Sequence, residues 1–301
     1  MKVLSPLTSK ESLLIETINV DKLKIDYFES LEIDVSDFFE EIEKLYVFKC
    51  QQTGYMFYYP FNISGDSNFY KKLQKFDWYY MPWKWENEMT LKNLDGNEKI
   101  LEVGSGGLGF IEKLKNKGFD ITGLELNEES VRKGQEIGLE VLNQTVQDHA
   151  NANKGKYDLV CSYQVLEHIS DVYTFIKAQV DCLKTGGKLI ICVPNNDSFI
   201  KLTNGGLLNC PPHHMGLWNK KSLSKISSIF GLKVDEVLYE PLQDYHLNWY
   251  IDSTKRERIF KNKYSRYLFK KLKMDNLYLK LITKFKNKIK GHSIMVVYSK
   301  L

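Results

Sequence analysis

The chain has no long hydrophobic run, no paired-cysteine motif and no apolar leader. No stretch approaches the roughly 18–20 consecutive apolar residues that a membrane-spanning helix needs. Residues 1–14 carry one early lysine but soon meet Ser, Thr, Lys and Glu, so the hydrophobic centre of a secretory signal is missing and a cytoplasmic location is expected. The five cysteines, Cys50, Cys161, Cys182, Cys192 and Cys210, are odd in number and scattered, with no C-x-x-C pair. That pattern speaks against a disulfide framework and against a zinc site, and no metal is expected.

What is present is ordinary for a folded protein. With 301 residues, 43% apolar and 27% charged, the chain can bury a large core as one large domain or two smaller ones. The net charge of +4 hides a segregation: residues 255–290 hold 14 Lys and Arg against Glu257 and Asp275, a net of +12, so the remainder carries −8.

Along the chain, residues 1–45 mix short apolar clusters with acids and read as small helices and loops. From Tyr55 to Trp85, 13 of 31 residues are aromatic, ending in Phe76-Asp77-Trp78-Tyr79-Tyr80-Met81-Pro82-Trp83. This density suits a packed lid, an aromatic wall over a ligand, or both. After the turn Asn93-Leu94-Asp95-Gly96-Asn97, strands alternate with helices. Strands are expected over 99–103, 120–125, 140–143, 158–163, 188–193, 233–239 and 293–299. Val172, Phe175, Ile176, Val180 and Leu183 fall on one helical face behind Ser170 as N-cap; Leu223, Ile226, Ile229 and Phe230 do so between Asn219 and Gly231. Such alternation builds a mainly parallel sheet covered on both faces, whose ligands sit beyond the C-terminal strand ends.

Residues 100–109, Ile-Leu-Glu-Val-Gly-Ser-Gly-Gly-Leu-Gly, read as a buried strand, a glycine turn and a helix start. Backbone N–H groups can approach a ligand closely there. Gly104, Gly106 and Gly109 satisfy G-x-G-x-x-G, which leaves a nicotinamide dinucleotide and S-adenosylmethionine both open. Glu125 ends the next strand and can accept both hydroxyls of a ribose, which both cofactors contain. Glu102 favours the second: a carboxylate beside the turn repels a pyrophosphate but suits an ammonium or sulfonium cation.

Two later segments carry a family resemblance. Tyr157-Asp158-Leu159-Val160-Cys161-Ser162-Tyr163-Gln164-Val165-Leu166-Glu167-His168 and Leu183-Lys184-Thr185-Gly186-Gly187-Lys188-Leu189-Ile190-Ile191-Cys192-Val193-Pro194-Asn195 follow the glycine turn and Glu125 in order. The four together resemble class I S-adenosylmethionine-dependent methyltransferases of the subgroup carrying a Val-Leu-Glu-His run. The resemblance covers about residues 96–241 and 291–300. It implies an α/β, Rossmann-like seven-stranded sheet, mainly parallel with a reversed last strand and helices on both faces. The aromatic-rich N-terminal region over 1–95 then covers a cofactor domain over 96–301, with a basic helical insertion over 242–290.

The resemblance also implies roles. Glu102, Gly104, Ser105, Gly106 and Gly107 hold the methionine portion and Glu125 the ribose; Leu126 packs on adenine, Gln147 or Asp148 approaches its amino edge, and Gln164 lies beside the sulfonium. Leu108 replaces a common third alternating glycine. Residues 47–57 are similar to the leader of methyltransferases from glycan and natural-product clusters, with Thr53 where the second cysteine of their C-x-x-C-G element stands. The implied acceptor is a sugar, glycan or related small molecule, methylated on oxygen.

A hydroxyl nucleophile benefits from a base, and imidazole titrates near working pH. His168, after the fourth strand, and His213 and His214, in the loop after the fifth, are the candidates. The basic segment reads as two amphipathic helices separated near Asp275-Asn276, packed on the sheet or on a second copy, or resting on an anionic membrane surface at the inner face of the membrane, or tracking nucleic-acid phosphates. No RNA-binding motif accompanies it. Transfer to nitrogen or carbon, RNA methylation, a nicotinamide-dependent oxidoreductase and a non-catalytic binding module remain as alternatives at this stage.

Overall fold

The computed structural model describes residues 1–76, 79, 81–203 and 206–301. Asp77, Trp78 and Tyr80 of the aromatic run therefore lie outside the described residues. Eleven strands are described: β1 (Ser12–Asn19), β2 (Lys44–Cys50), β3 (Met56–Tyr59), β4 (Lys99–Val103), β5 (Asp120–Leu124), β6 (Val141–Leu142), β7 (Tyr157–Tyr163), β8 (Leu183–Pro194), β9 (Gly216–Leu217), β10 (Leu232–Pro241) and β11 (Lys290–Lys300).

Seven of them form one sheet in the order β10-β11-β8-β7-β4-β5-β6. Every neighbouring pair is parallel except the two made by β11, which runs opposite to β8 and β10. All seven expected strands are present, with β8 longer than expected because it begins at Leu183.

Alternate residues of these strands enter different cores, as a sheet covered on both faces requires. Leu101, Val160, Ile191 and Val296 pack with Val172, Phe175 and Ile176 of the helix Val172–Cys182 and with Leu223 and Ile226 of the helix Lys220–Phe230. Ile100, Leu159, Ile190 and Met295 instead meet Phe110, Ile111 and Leu114 of the helix Gly109–Asn116. Asn219 caps the helix Lys220–Phe230 and Gly231 closes it in the left-handed conformation, as expected. The cap of the helix Val172–Cys182 is Asp171 rather than Ser170: Asp171 accepts Thr174 N–H at 3.3 Å, while the Ser170 hydroxyl is spent on Phe61 O at 2.9 Å.

The N-terminal region is more regular than expected. It holds a 12-residue helix, Val20–Leu31, and an antiparallel sheet in the order β1-β2-β3-β9. β1 is an edge strand whose Leu13, Leu14 and Ile15 are all about half exposed, so it lacks the alternation that marks a half-buried strand. β9 comes from the histidine-bearing loop, and its pairing with β3 (Met56 with Leu217, Phe57 with Gly216) ties that loop to the N-terminal region.

The insertion also departs from expectation. A helix Leu247–Thr254 runs into a π-helical turn, Lys255–Ile259, before the helices Lys263–Lys271 and Asp275–Phe285. The break falls at residues 272–274, and Asp275 opens the last helix, where a negative charge suits the helix dipole. Tyr264, Tyr267, Leu268, Leu272, Leu277, Leu281 and Phe285 do not form a buried face; they are exposed by 41–73%, and Phe269 is the buried anchor.

Candidate active site

β4 delivers its chain into a turn at the C-terminal edge of the sheet. Gly104 has φ +81°, and a Cβ there would stand 2.5 Å from Val165 Cγ2, so this position needs glycine. Leu108 adopts φ +63° as the N-cap of the helix Gly109–Asn116. The left-handed conformation that a third alternating glycine would supply is thus present, carried by a leucine that packs beside Gly134.

Glu125, just past β5, braces this turn. Its Oε2 accepts Gly106 N–H at 2.7 Å and its Oε1 accepts Leu126 N–H and Asn127 N–H, each at 2.8 Å. Glu102 is the opposite case. It is buried, its Oε2 has no hydrogen-bond partner among the described residues, and burial pushes its carboxyl up to about 8, helped by Glu125 and opposed by Ser105. An unsatisfied buried carboxylate oxygen facing a cavity is costly until a donor arrives.

Both acids lie on the wall of one continuous cavity of about 1160 Å³. That exceeds the volume a single drug-sized ligand fills, so a donor and an acceptor can occupy it together. Gly104, Ser105, Gly106, Gly107, Leu126, Gln147 and Gln164 share the wall. Asp148 does not; its carboxylate accepts the Thr145 hydroxyl at 2.6 Å at a helix start. Gln164 has φ +55°, and its Nε2 reaches Ser293 Oγ at 3.3 Å.

The wall of the same cavity also carries His168, His213 and His214. Their rings lie 4.5–4.9 Å apart, His213 stacked on His214 and His168 edge-on to both. Each Nδ1 meets an oxygen: His213 O at 2.6 Å for His168, Leu208 O at 2.8 Å for His213, and Asn209 Oδ1 at 3.0 Å for His214. A carbonyl only accepts, so each Nδ1 carries the proton and each Nε2 the lone pair. Tyr79 OH lies 2.8 Å from His213 Nε2, whereas His214 Nε2 has no hydrogen-bond partner among the described residues. Burial keeps all three neutral: it lowers His168 to about 4 and takes His213 and His214 well below the usual histidine value.

Sequence reasoning did not single out three further carboxylates on this wall. Glu86, Glu167 and Glu240 are all buried on the cavity wall, and both oxygens of Glu167 lack partners among the described residues. Burial raises Glu86 and pushes Glu167 up to about 8 and Glu240 to about 7. Glu167 stood inside the Val-Leu-Glu-His run, whose strand-end position was the available signal. Glu86 and Glu240 carried none, because only the fold brings them to the strand ends.

Residues 83–237 match a family model described as a methyltransferase domain. Among similar proteins, the ubiquinone biosynthesis O-methyltransferase of Cronobacter sakazakii is 29% identical over 160 residues, covering 50% of this chain and 63% of the relative. That of Pectobacterium atrosepticum is 32% identical over 107 residues, 34% of this chain and 44% of the relative. The match thus spans about half the length of these relatives. An S-adenosylmethionine-dependent methyltransferase from Archaeoglobus fulgidus has a similar fold, with TM-score 0.50 and 17% identity over 71% of this chain and 91% of that one.

Proposed function

Because the chain belongs to the methyltransferase-domain family, we propose that it is an enzyme that uses S-adenosylmethionine to methylate a hydroxyl oxygen of a small polar acceptor, of which sugars and glycans are the first class to test. The observation that carries this reading is the single cavity joining Glu102 to the histidine cluster. Glu102 and the glycine turn fit the zwitterionic methionine portion: the unpartnered Oε2 takes an ammonium, and the crowding at Gly104 keeps the turn free of side chain. When bound, S-adenosylmethionine supplies an electrophilic methyl carbon on a sulfonium.

The chain's own residues align the acceptor and exclude water. His214 accepts a hydrogen bond from the acceptor hydroxyl at Nε2, with Asn209 fixing its ring through Nδ1. His213 plays a different part, since Tyr79 and Leu208 engage both of its nitrogens. The O-methyltransferase names of the sequence relatives support oxygen as the acceptor atom.

Release of S-adenosylhomocysteine, measured over a panel of sugars, phenols and amines, tests the proposal. Hydroxyl acceptors are expected to turn over, and His214→Ala to lose about 100-fold, the scale of a missing proton acceptor, with donor affinity retained. Transfer confined to amines, or full turnover in both His213→Ala and His214→Ala, rejects the reading.

The basic insertion supports a second contact. Exposed Tyr264, Tyr267, Leu268 and Leu272 stand among lysines on an arm of net charge +12, the combination that suits an anionic lipid surface. No helix among the described residues is long and apolar enough to cross a membrane, so such a contact is peripheral.

A further inference from the structure

We propose that His168, His213 and His214 form a site for a first-row divalent transition-metal ion at the acceptor end of the cavity. One nitrogen of each lies within 4.8 Å of one nitrogen of the other two. His213 and His214 are buried, His168 is half-buried, and all three border the open cavity, so an ion held there would keep a position free for an oxygen ligand.

Three features point to a metal rather than to a structural stack of imidazoles. All three rings are neutral, the form that ligates. All three give Nδ1–H to an oxygen, the orienting arrangement that metal-binding imidazoles use to fix their tautomer and aim Nε2. Three imidazoles with one open position are also the donor set of a catalytic zinc site, and nitrogen donors favour zinc, cobalt, nickel and copper over magnesium or calcium.

Nitrogens bound at about 2.0–2.1 Å in a tetrahedron stand roughly 3.3 Å apart, so separations of up to 4.8 Å must shorten by up to about 1.5 Å. Tyr79 OH moves off His213 Nε2 as the ion takes its place. Sequence spacing gave no hint of the site, because His168 and His213 are 45 residues apart and only the fold joins them. With the ion bound, the His214 lone pair ligates it, and the open position of the ion takes the acceptor oxygen in place of the hydrogen bond to His214; that role rests on the reading of this cavity as the acceptor compartment, and the site itself does not.

The test is titration of the metal-stripped protein with Zn²⁺ by calorimetry and with Co²⁺ by visible absorption, without donor or acceptor. One ion per chain at micromolar or tighter affinity, with the intense bands of four-coordinate Co²⁺ and a raised melting temperature reversed by chelator, is expected. His168→Gln and His214→Gln, checked for folding by circular dichroism, should each weaken binding at least tenfold. His149→Gln, at a buried histidine bonded to Tyr157 and Gln144, should leave it unchanged. No stoichiometric uptake overturns the proposal. So does uptake that survives in His168→Gln and His214→Gln but disappears in His292→Gln, which would place the ion at His292 and His246, whose rings lie 4.8 Å apart on the same cavity wall. Ion binding without transfer to any hydroxyl acceptor would overturn the proposed reaction while leaving the site intact.

Discussion

Glu125 Oε2 accepts Gly106 N–H at 2.7 Å, so the carboxylate at the end of one strand holds the turn that follows its neighbour. The same side chain also gathers the amides of Leu126 and Asn127. Its carboxylate is therefore already committed to the shape of the turn, and in the proposed donor site any ribose hydroxyl adds to bonds that exist without it.

Glu125→Ala is expected to lose stability as well as donor affinity. Three amides lose a charged acceptor, and bonds of this kind are each worth about 1.5–3 kcal/mol before water replaces part of them. Urea denaturation and calorimetry with S-adenosylhomocysteine measure the two losses. A variant that loses affinity at unchanged stability would show that Glu125 serves the ligand alone.

The pH dependence of Glu102 has a definite sign. Its carboxyl lies at about 8 in the folded chain, above the unfolded carboxylate range. The folded state then binds a proton that the unfolded state has released, so the stability this group contributes is full below the unfolded value and is lost as pH rises towards about 8. Donor affinity runs the other way, because an ammonium ligand prefers the ionised carboxylate and tightens between pH 6 and 8. Glu102→Gln should flatten both profiles. Unchanged profiles would mean that the carboxylate is already ionised.

Gly104→Ala combines a left-handed backbone with a 2.5 Å approach to Val165. The backbone part costs about 1–2 kcal/mol for a residue with a Cβ, and the contact adds to it. Gly104→Ala/Val165→Ala removes the contact but not the backbone part, so a partial recovery of melting temperature and of S-adenosylhomocysteine affinity is expected. Full recovery would remove the backbone argument.

Sedimentation with vesicles checks the basic arm. Binding to vesicles with anionic lipid, absent with neutral lipid and weakened by salt, is expected, and Lys270→Glu/Lys271→Glu should reduce it. Equal binding to both vesicle types, or none at low ionic strength, rejects the charge-based contact.

The seven-stranded sheet was legible because its strands are short β-rich runs bounded by turns, and because their ends carry acids and glycines at fixed places. Asn219 and Gly231 marked a helix correctly because capping is local chemistry. β1 was not legible, since an exposed edge strand has no buried face to impose alternation. The aromatic residues of the basic arm misled because periodicity shows which side chains share a face, not whether anything covers it. Most residues proposed to hold the donor follow one another along the chain, and all of them except Asp148 reach the cavity wall. Glu86 and Glu240, by contrast, reach the site from outside any motif, and the histidine cluster exists only once the loop after β8 folds back.

That folding back sets an order of assembly. The donor turn closes through Glu125 over 19 residues, whereas the histidine loop is fastened by Tyr27 OH to Cys210 O across 183 residues and by Tyr58 OH to Asn209 O across 151. Long closures cost more entropy and form later. The turn proposed to hold the methyl donor can thus be complete while the histidine loop is still open, and under mild destabilisation acceptor binding is expected to fail before donor binding.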